Sequence, residues 1–172
     1  MRQNRVDSED NVTPRERKTK TAEQALNALM RLCSKAEKSS GDAMRLRYSW
    51  GVPIAERQGV LDKLIDLRFI DDSRYAEAYT REKAAMAGWG ARKIAQHLYQ
   101  KGISKDVVSR TLASLESDDQ RAMLEKRLQR KLSTVKAAND YELRGKLLRY
   151  ALGLGYDYDM SIEVIDRIVS SR

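Results

Sequence analysis

The sequence predicts an all-α protein of three tandem three-helix-bundle repeats, stacked into an elongated, curved shape. Only two prolines interrupt the 172 residues, and apolar residues recur at helical spacing with no alternating stretch typical of a strand. Three helix-ending glycines, Gly51, Gly102 and Gly155, are each followed by apolar residues at positions +10 and +13. This recurrence predicts repeats of about fifty residues whose neighbours bury each other's faces.

Residues 1–20 are predicted to form a flexible N-terminal tail, because they contain almost no apolar side chains. Its alternative role is a short basic arm, residues 15–20, that touches a polyanion. The first repeat is predicted over residues 21–68. Thr21 caps its first helix, and Cys33 lies on the apolar stripe as a small hydrophobic residue.

The second repeat is predicted over residues 69–116. Asp71 is the expected cap of a helix whose apolar side includes Met86. The Gly88-Trp89-Gly90 segment then breaks the pattern, a second helix ends at the left-handed Gly102, and Ser104 caps a third.

The third repeat is predicted over residues 117–172. Asp118 and Asp119 reproduce the entry pattern of Asp71 and Asp72, which predicts a second capping device. Residues 121–136 contain six basic side chains and one acid. Three of these cations, Arg127, Arg130 and Lys131, share one helix face, which indicates either a solvated surface or a contact with a polyanion.

The overall charge favours a negatively charged partner. Lys and Arg number 33 against 25 Asp and Glu, which gives a net charge of +8 and a sequence pI near 9.6. Such an excess suits nucleic acid or an acidic protein surface. The single cysteine excludes an internal disulfide and fits a reducing compartment. No apolar run approaches the ~18 residues of a membrane span. We therefore expect a cytoplasmic protein that does not contact a membrane.

The side chains that catalysis or cofactor binding would need are absent from the sequence. One histidine and one cysteine cannot form a His/Cys metal set, and no phosphate-binding glycine loop or dinucleotide motif occurs. Asp71 and Asp72 precede an apolar helical stripe, so capping explains them better than metal binding. We expect no enzyme activity, no cofactor, no metal and no small-molecule ligand.

The candidate binding residues lie on the polar faces of the helices and at the tryptophan. In the second repeat these faces carry Arg74, Arg81, Lys83, Arg92 and Lys93. Trp89 either plugs the junction of two helices or offers a partly exposed ring for stacking and interface contacts.

Several segments together resemble the RecX family of bacterial recombinase regulators. The second repeat supplies Phe69-Ile70-Asp71-Asp72-x-Arg74-Tyr75-Ala76, Gly88-Trp89-Gly90-x-Arg92-x-Ile94, and then Leu98, Lys101, Gly102 and Ile103. Trp50-Gly51-Val52-Pro53 is similar to the family's Gly-Val-Pro turn. The likeness covers roughly residues 22–170 and weakens in the third repeat.

This resemblance implies a non-catalytic regulator of homologous recombination, DNA repair and the SOS response. It implies binding to the RecA–DNA filament, with inhibition of its ATPase, strand exchange and coprotease activities. Single- or double-stranded DNA would be bound weakly through phosphates, and we expect a monomer. The interface is expected to include Arg74, Arg81, Lys83, Trp89, Arg92, Lys93, Arg127, Arg130 and Lys131. The alternative is a helical module of the transcriptional-repressor type that binds DNA directly.

Overall fold

The computed structural model describes residues 19–171, and within them the chain forms α-helices, one π-helix and no strand. The all-α prediction is confirmed. Most of the predicted tail, residues 1–18, lies outside the described residues. The α-helices are α1 (Ala22–Cys33), α2 (Ser40–Ser49), α3 (Ile54–Asp66), α4 (Asp72–Glu82), α5 (Ala91–Gln100), α6 (Lys105–Ala113), α7 (Ser117–Leu132), α8 (Asp140–Leu154) and α9 (Tyr158–Ser170).

Each set of three successive helices surrounds its own apolar cluster, so we call α1–α3, α4–α6 and α7–α9 the first, second and third units. The extensive helix packings, such as α1 with α3, α4 with α6 and α8 with α9, lie within units. This is the predicted arrangement of tandem three-helix repeats. The division at residues 68/69 and 116/117 stays a proposal, and Phe69 and Ile70 pack in the first unit's cluster.

Side chains at the helix starts explain where several helices begin. The Thr21 hydroxyl oxygen accepts a hydrogen bond from the Gln24 backbone N–H, and the Gln24 side-chain oxygen accepts one from the Thr21 backbone N–H, which makes a full capping box. Asp71 accepts from the backbone of Ser73 and Arg74, as predicted. Ser104 likewise caps α6.

The expectation that Asp118 and Asp119 form a second capping device is wrong. The residue before α7 is Glu116, and no side chain caps this helix. Both aspartates lie inside the first turn of α7, two and three residues after Glu116, where their negative charge interacts favourably with the positive end of the helix dipole. The entry of α7 therefore lacks the capping hydrogen bonds that Asp71 gives to α4.

Met86 does not lie on the buried side of its helix, contrary to the predicted stripe. Residues Lys83–Ala87 form a π-helix directly after α4. Because a π-turn is wound more loosely than an α-turn, the residues within it leave the register of the preceding α-helix. The Met86 side chain is 78% exposed as a result.

The second helices of the three units share a register that can be counted from their caps, Ser39, Gly90 and Asn139. Four residues after each cap lies a buried apolar residue, namely Ala43, Ile94 or Leu143. Eight residues after each cap lies another fully buried side chain. It is a leucine in the second and third units, Leu98 and Leu147, but a charged residue, Arg47, in the first.

The first and second units meet where α2 begins and α5 ends. Ser39 donates its hydroxyl hydrogen to the Lys101 carbonyl at 2.7 Å, and Arg45 donates to the Gln100 carbonyl at 3.0 Å. A methyl group on Gly41 would overlap the Lys101 carbonyl oxygen. Close approach of the two helix ends therefore requires glycine at position 41.

The second and third units meet in the same way, where α5 begins and α8 ends. The Gly90 backbone N–H donates to the Leu154 carbonyl at 2.9 Å, and that of Arg92 donates to the Gly155 carbonyl at 3.1 Å. A methyl group on Gly90 would lie 2.5 Å from the Gly155 backbone. Gly155 itself has φ +90°, a left-handed conformation that suits a helix end.

These two junctions place α8, α5 and α2 in a head-to-tail row. At each junction the C-terminal carbonyls of one second helix face the N-terminus of another, so the opposite ends of the two helix dipoles meet. Since the units touch mainly through helix ends and not through broad faces, the stack is elongated.

Candidate functional site

The Gly88-Trp89-Gly90 corner of the second unit is the point on which the third unit docks. Gly88 has φ +63°, which lets the chain turn after the π-helix. Its carbonyl accepts a hydrogen bond from the buried Tyr156 hydroxyl at 3.2 Å. Arg127 of α7 donates to the Met86 carbonyl at 3.1 Å. The corner is thus held by two side chains of the third unit.

Two lysines and a histidine surround the Trp89 ring. The Lys93 ammonium lies 4.6 Å from the ring centroid and that of Lys83 lies 5.7 Å away, both within cation–π range. The His97 ring lies 4.7 Å from the indole on another side. Trp89 is partly buried and packs on the second unit's cluster. Trp89 therefore packs on the apolar cluster on one side and lies next to positively charged side chains on the other.

We call Lys83, Trp89, Arg92, Lys93 and Arg127 the basic corner. The four cations approach from the π-helix, from α5 and from α7. The one acidic partner recorded for them among residues 19–171 is Glu82, which accepts a hydrogen bond from Lys83 at 2.8 Å. This bond raises the pKa of the Lys83 ammonium, so Lys83 stays charged at neutral pH. The arrangement suits a ligand with negatively charged oxygens.

The comparisons with known proteins point to one family. Residues 71–112 match the family model described as "RecX, second three-helix domain". A protein named regulatory protein RecX from Clostridium botulinum is 30% identical over 138 residues, which are 79% of this chain and 63% of that protein. One of the same name from Mycolicibacterium vanbaalenii is 28% identical over 86% of this chain and 83% of its own length. The crystal structure of RecX from Lactobacillus salivarius superposes with a TM-score of 0.72.

The family that the chain resembles is RecX.

The likeness to the Lactobacillus salivarius RecX structure covers 85% of this chain and 95% of that one at 22% identity, and it confirms the fold. The RecX family model covers the second unit from Asp71 onward, including the whole Gly-Trp-Gly corner. The chain spans 63% of the length of its Clostridium botulinum relative.

The remaining predicted interface residues are spread over the RecX fold. Arg74 lies at the junction of the first and second units, where Glu37 accepts hydrogen bonds from two of its nitrogens at 2.7 and 3.1 Å. Arg81 is exposed on α4. Arg130 is exposed near the end of α7, and Lys131 lies 5.4 Å from the Tyr150 ring. Five of the nine predicted interface residues thus belong to the basic corner, and these four lie outside it.

Two long-range contacts that shape this part of the RecX fold were missed from the sequence. Tyr156 fastens the corner although the sequence placed it in a loop, and its partner Gly88 is 68 residues away. Lys93 donates to the Gly153 carbonyl at 3.2 Å, so it also supports the junction. Two signals could have indicated this contact: the third glycine of the repeat series, Gly155, and the tyrosine that follows it.

Two further properties of residues 19–171 bear on function. No group of three or more His, Cys, Asp or Glu side chains in this span could hold a metal ion. Likewise, none of the helices described is long and apolar enough to cross a membrane.

The junction is expected to lose stability in alkaline solution through Tyr156. Burial raises the pKa of Tyr156 to about 12 from an ordinary value of 10.0. The unfolded chain releases this proton more readily, so the contribution is complete below pH 10 and is lost between pH 10 and 12. Tyr156→Phe is expected to cost about 1 kcal/mol at pH 8. Its deficit relative to the unmodified protein should shrink above pH 10 in thermal unfolding; a constant deficit would contradict the assignment.

Proposed function

We propose that this protein regulates recombination by binding the RecA–DNA filament, using the basic corner, and that it inhibits filament ATPase, strand exchange and coprotease activities. The observation that carries the proposal is the pair of ammonium groups, Lys83 and Lys93, over the Trp89 ring, in a chain that resembles the RecX family. Arg127 lies at the same corner against the Met86 carbonyl, and the exposed Arg92 precedes Lys93 on α5. Cations of this kind are attracted to DNA phosphates and to acidic protein surfaces. An aromatic ring among them can add a stacking or anchoring contact.

An elongated stack can contact more than one subunit of a filament at once. Contacts of separate units then reinforce one another, because the second contact forms within an already bound molecule. Occupancy that bridges subunits would restrict the subunit motions that accompany ATP turnover. Inhibition follows from this restriction, and no catalytic group on the regulator is needed.

The direct test is the RecA ATPase rate on single-stranded DNA with increasing amounts of the protein. We expect a saturable decrease in rate. An unchanged rate at saturating protein would refute the proposal. Titration of labelled DNA without RecA separates the alternative, because tight sequence-specific binding would favour a repressor-type module.

Reversing two exposed charges is expected to weaken filament binding without unfolding the protein. Arg92→Glu removes one cation of the basic corner, and Arg130→Glu removes an exposed cation three residues after Arg127 on α7. Neither side chain forms a hydrogen bond or an ion pair within residues 19–171. We expect an affinity loss of about tenfold or more and a shallower dependence on salt concentration, since each lost phosphate contact lowers the slope by roughly one.

The matched control carries the same change of net charge on the first unit. Arg31→Glu with Lys35→Glu alters two exposed residues at the end of α1, remote from the corner. This variant should bind within about twofold of the unmodified protein. If both pairs weaken binding equally, general charge and not the surface that carries Arg92 and Arg130 accounts for the interaction.

A further inference from the structure

A second candidate surface is a groove between the second and third units, distinct from the basic corner. The groove has a volume of about 1000 Å³ and is lined by α4, the π-helix, α6 and α7. Its apolar lining includes Ala84, Val107, Leu115, Ala122 and Met123. Small alanines permit the backbone of a ligand to approach closely, and methionine adapts to its partner's shape.

One buried polar group in the groove has no partner. The hydroxyl oxygen of Thr80 is fully buried and makes no hydrogen bond with the described residues, and Thr80 as a whole is 2% exposed. Thr80 belongs to the groove lining. A buried hydroxyl without a hydrogen bond lowers the free energy of unfolding by about 1–3 kcal/mol. The groove lining therefore contains a polar group whose hydrogen-bonding capacity is unused.

The charges around the groove are arranged by sign. Arg127 contacts the Met86 carbonyl, so the C-terminal half of α7 lies beside the end of the π-helix. Lys126 therefore lies at that end, and Asp119 lies about 10 Å further back along α7. On α4, Glu77 also precedes Arg81 in the direction of the π-helix. Both α4 and α7 thus carry a basic side chain toward the end of the groove at the π-helix and an acidic side chain toward the opposite end.

This balance of charge excludes nucleic acid as the natural occupant. The charged lining residues are three acids and three bases, namely Glu77, Glu116, Asp119, Arg81, Arg110 and Lys126. A phosphate backbone would meet as many carboxylates as cations. An α-helix matches better, because its N-terminus is positive and its C-terminus negative.

We propose that the groove binds a short amphipathic helix of the filament protein, with its positive N-terminus at Glu116 and Asp119 and its negative C-terminus at Lys126. The apolar face of that helix packs on Ala84, Ala122 and Met123, in the helix-in-groove mode of recognition. This inference rests on the proposed function and adds a protein-specific contact to the charge-based one at the basic corner.

The test fills the groove without changing charge. Ala85→Gln with Ala122→Gln adds bulk at two exposed groove positions, and Ala55→Gln with Ala138→Gln does the same at exposed sites outside it. We expect the groove variant to lose at least tenfold in affinity for the filament and nothing in affinity for DNA alone. The control should lose less than twofold. Equal affinities of the two variants for the filament would overturn the groove proposal.

A photo-reactive amino acid at position 122 identifies the occupant. We expect a cross-link to a helical segment of the filament protein. A cross-link to DNA, a cross-link to a second copy of this chain, or no cross-link would overturn the proposal. The two proposals fail in different ways. If the unmodified protein does not bind the filament, the proposed function is wrong. If the groove variant binds the filament normally, only the groove proposal is wrong.

Discussion

Replacing Gly90 with alanine is expected to lower the free energy of unfolding by about 3 kcal/mol. The added methyl group would lie 2.5 Å from the Gly155 backbone, where no flexible side chain can move aside. Relief of this overlap would separate the ends of α5 and α8 and lengthen the hydrogen bond from Gly90 to Leu154. Denaturant unfolding followed by circular dichroism measures the loss. The mutation acts through packing, because the φ of Gly90 is an ordinary −79°.

Gly145→Ala is the matched control for this prediction. Gly145 lies within α8, and a methyl group there would meet nothing within 4 Å. Alanine is favoured over glycine in a helix interior by about 1 kcal/mol, so this variant should be slightly more stable than the unmodified protein. A Gly90→Ala protein as stable as Gly145→Ala would show that the junction tolerates separation.

Replacing Arg47 with leucine is expected to raise the free energy of unfolding by about 2 kcal/mol. Arg47 is 1% exposed, and one of its terminal nitrogens has no hydrogen-bond partner among the described residues. Burial lowers the pKa of its guanidinium, against the opposing effect of Asp62. The equivalent positions Leu98 and Leu147 show that leucine fits this site of the repeat.

The control for the Arg47 prediction is Arg31→Leu, at an exposed position on α1. Its stability should change by less than about 0.5 kcal/mol, because an exposed side chain far from other features contributes little. The melting temperatures of both variants give the comparison. A destabilised Arg47→Leu protein would mean that the guanidinium makes a compensating interaction in the folded state.

Local chemistry accounts for what could be predicted from the sequence. Thr21, Asp71 and Ser104 cap helices through bonds that span two or three residues, so a short window contains both partners. Gly102 and Gly155 end their helices with positive φ, as glycines after an apolar stripe do. The all-α class and the repeat follow from the same local periodicity.

Long-range pairing accounts for what could not be predicted. In the sequence Arg127 is one of three aligned cations, but the structure commits it to the Met86 carbonyl, 41 residues away. Arg74 likewise pairs with Glu37 instead of standing free. Met86 was misplaced because a π-helix gives no sequence signal of its own. The buried Arg47 could have been found by counting eight residues from Ser39.

Amino-acid substitutions during evolution should be constrained differently at the unit junctions and inside the core of each unit. Gly90 faces the Gly155 backbone and Gly41 faces Lys101 and Gly102, so a larger residue on one side requires a compensating shift on the other. A core position such as that of Arg47 is enclosed by its own unit and can diverge alone. We expect covariation in RecX sequences to be strongest between the two sides of each junction, so that whole units can be altered as independent modules while their points of attachment evolve together.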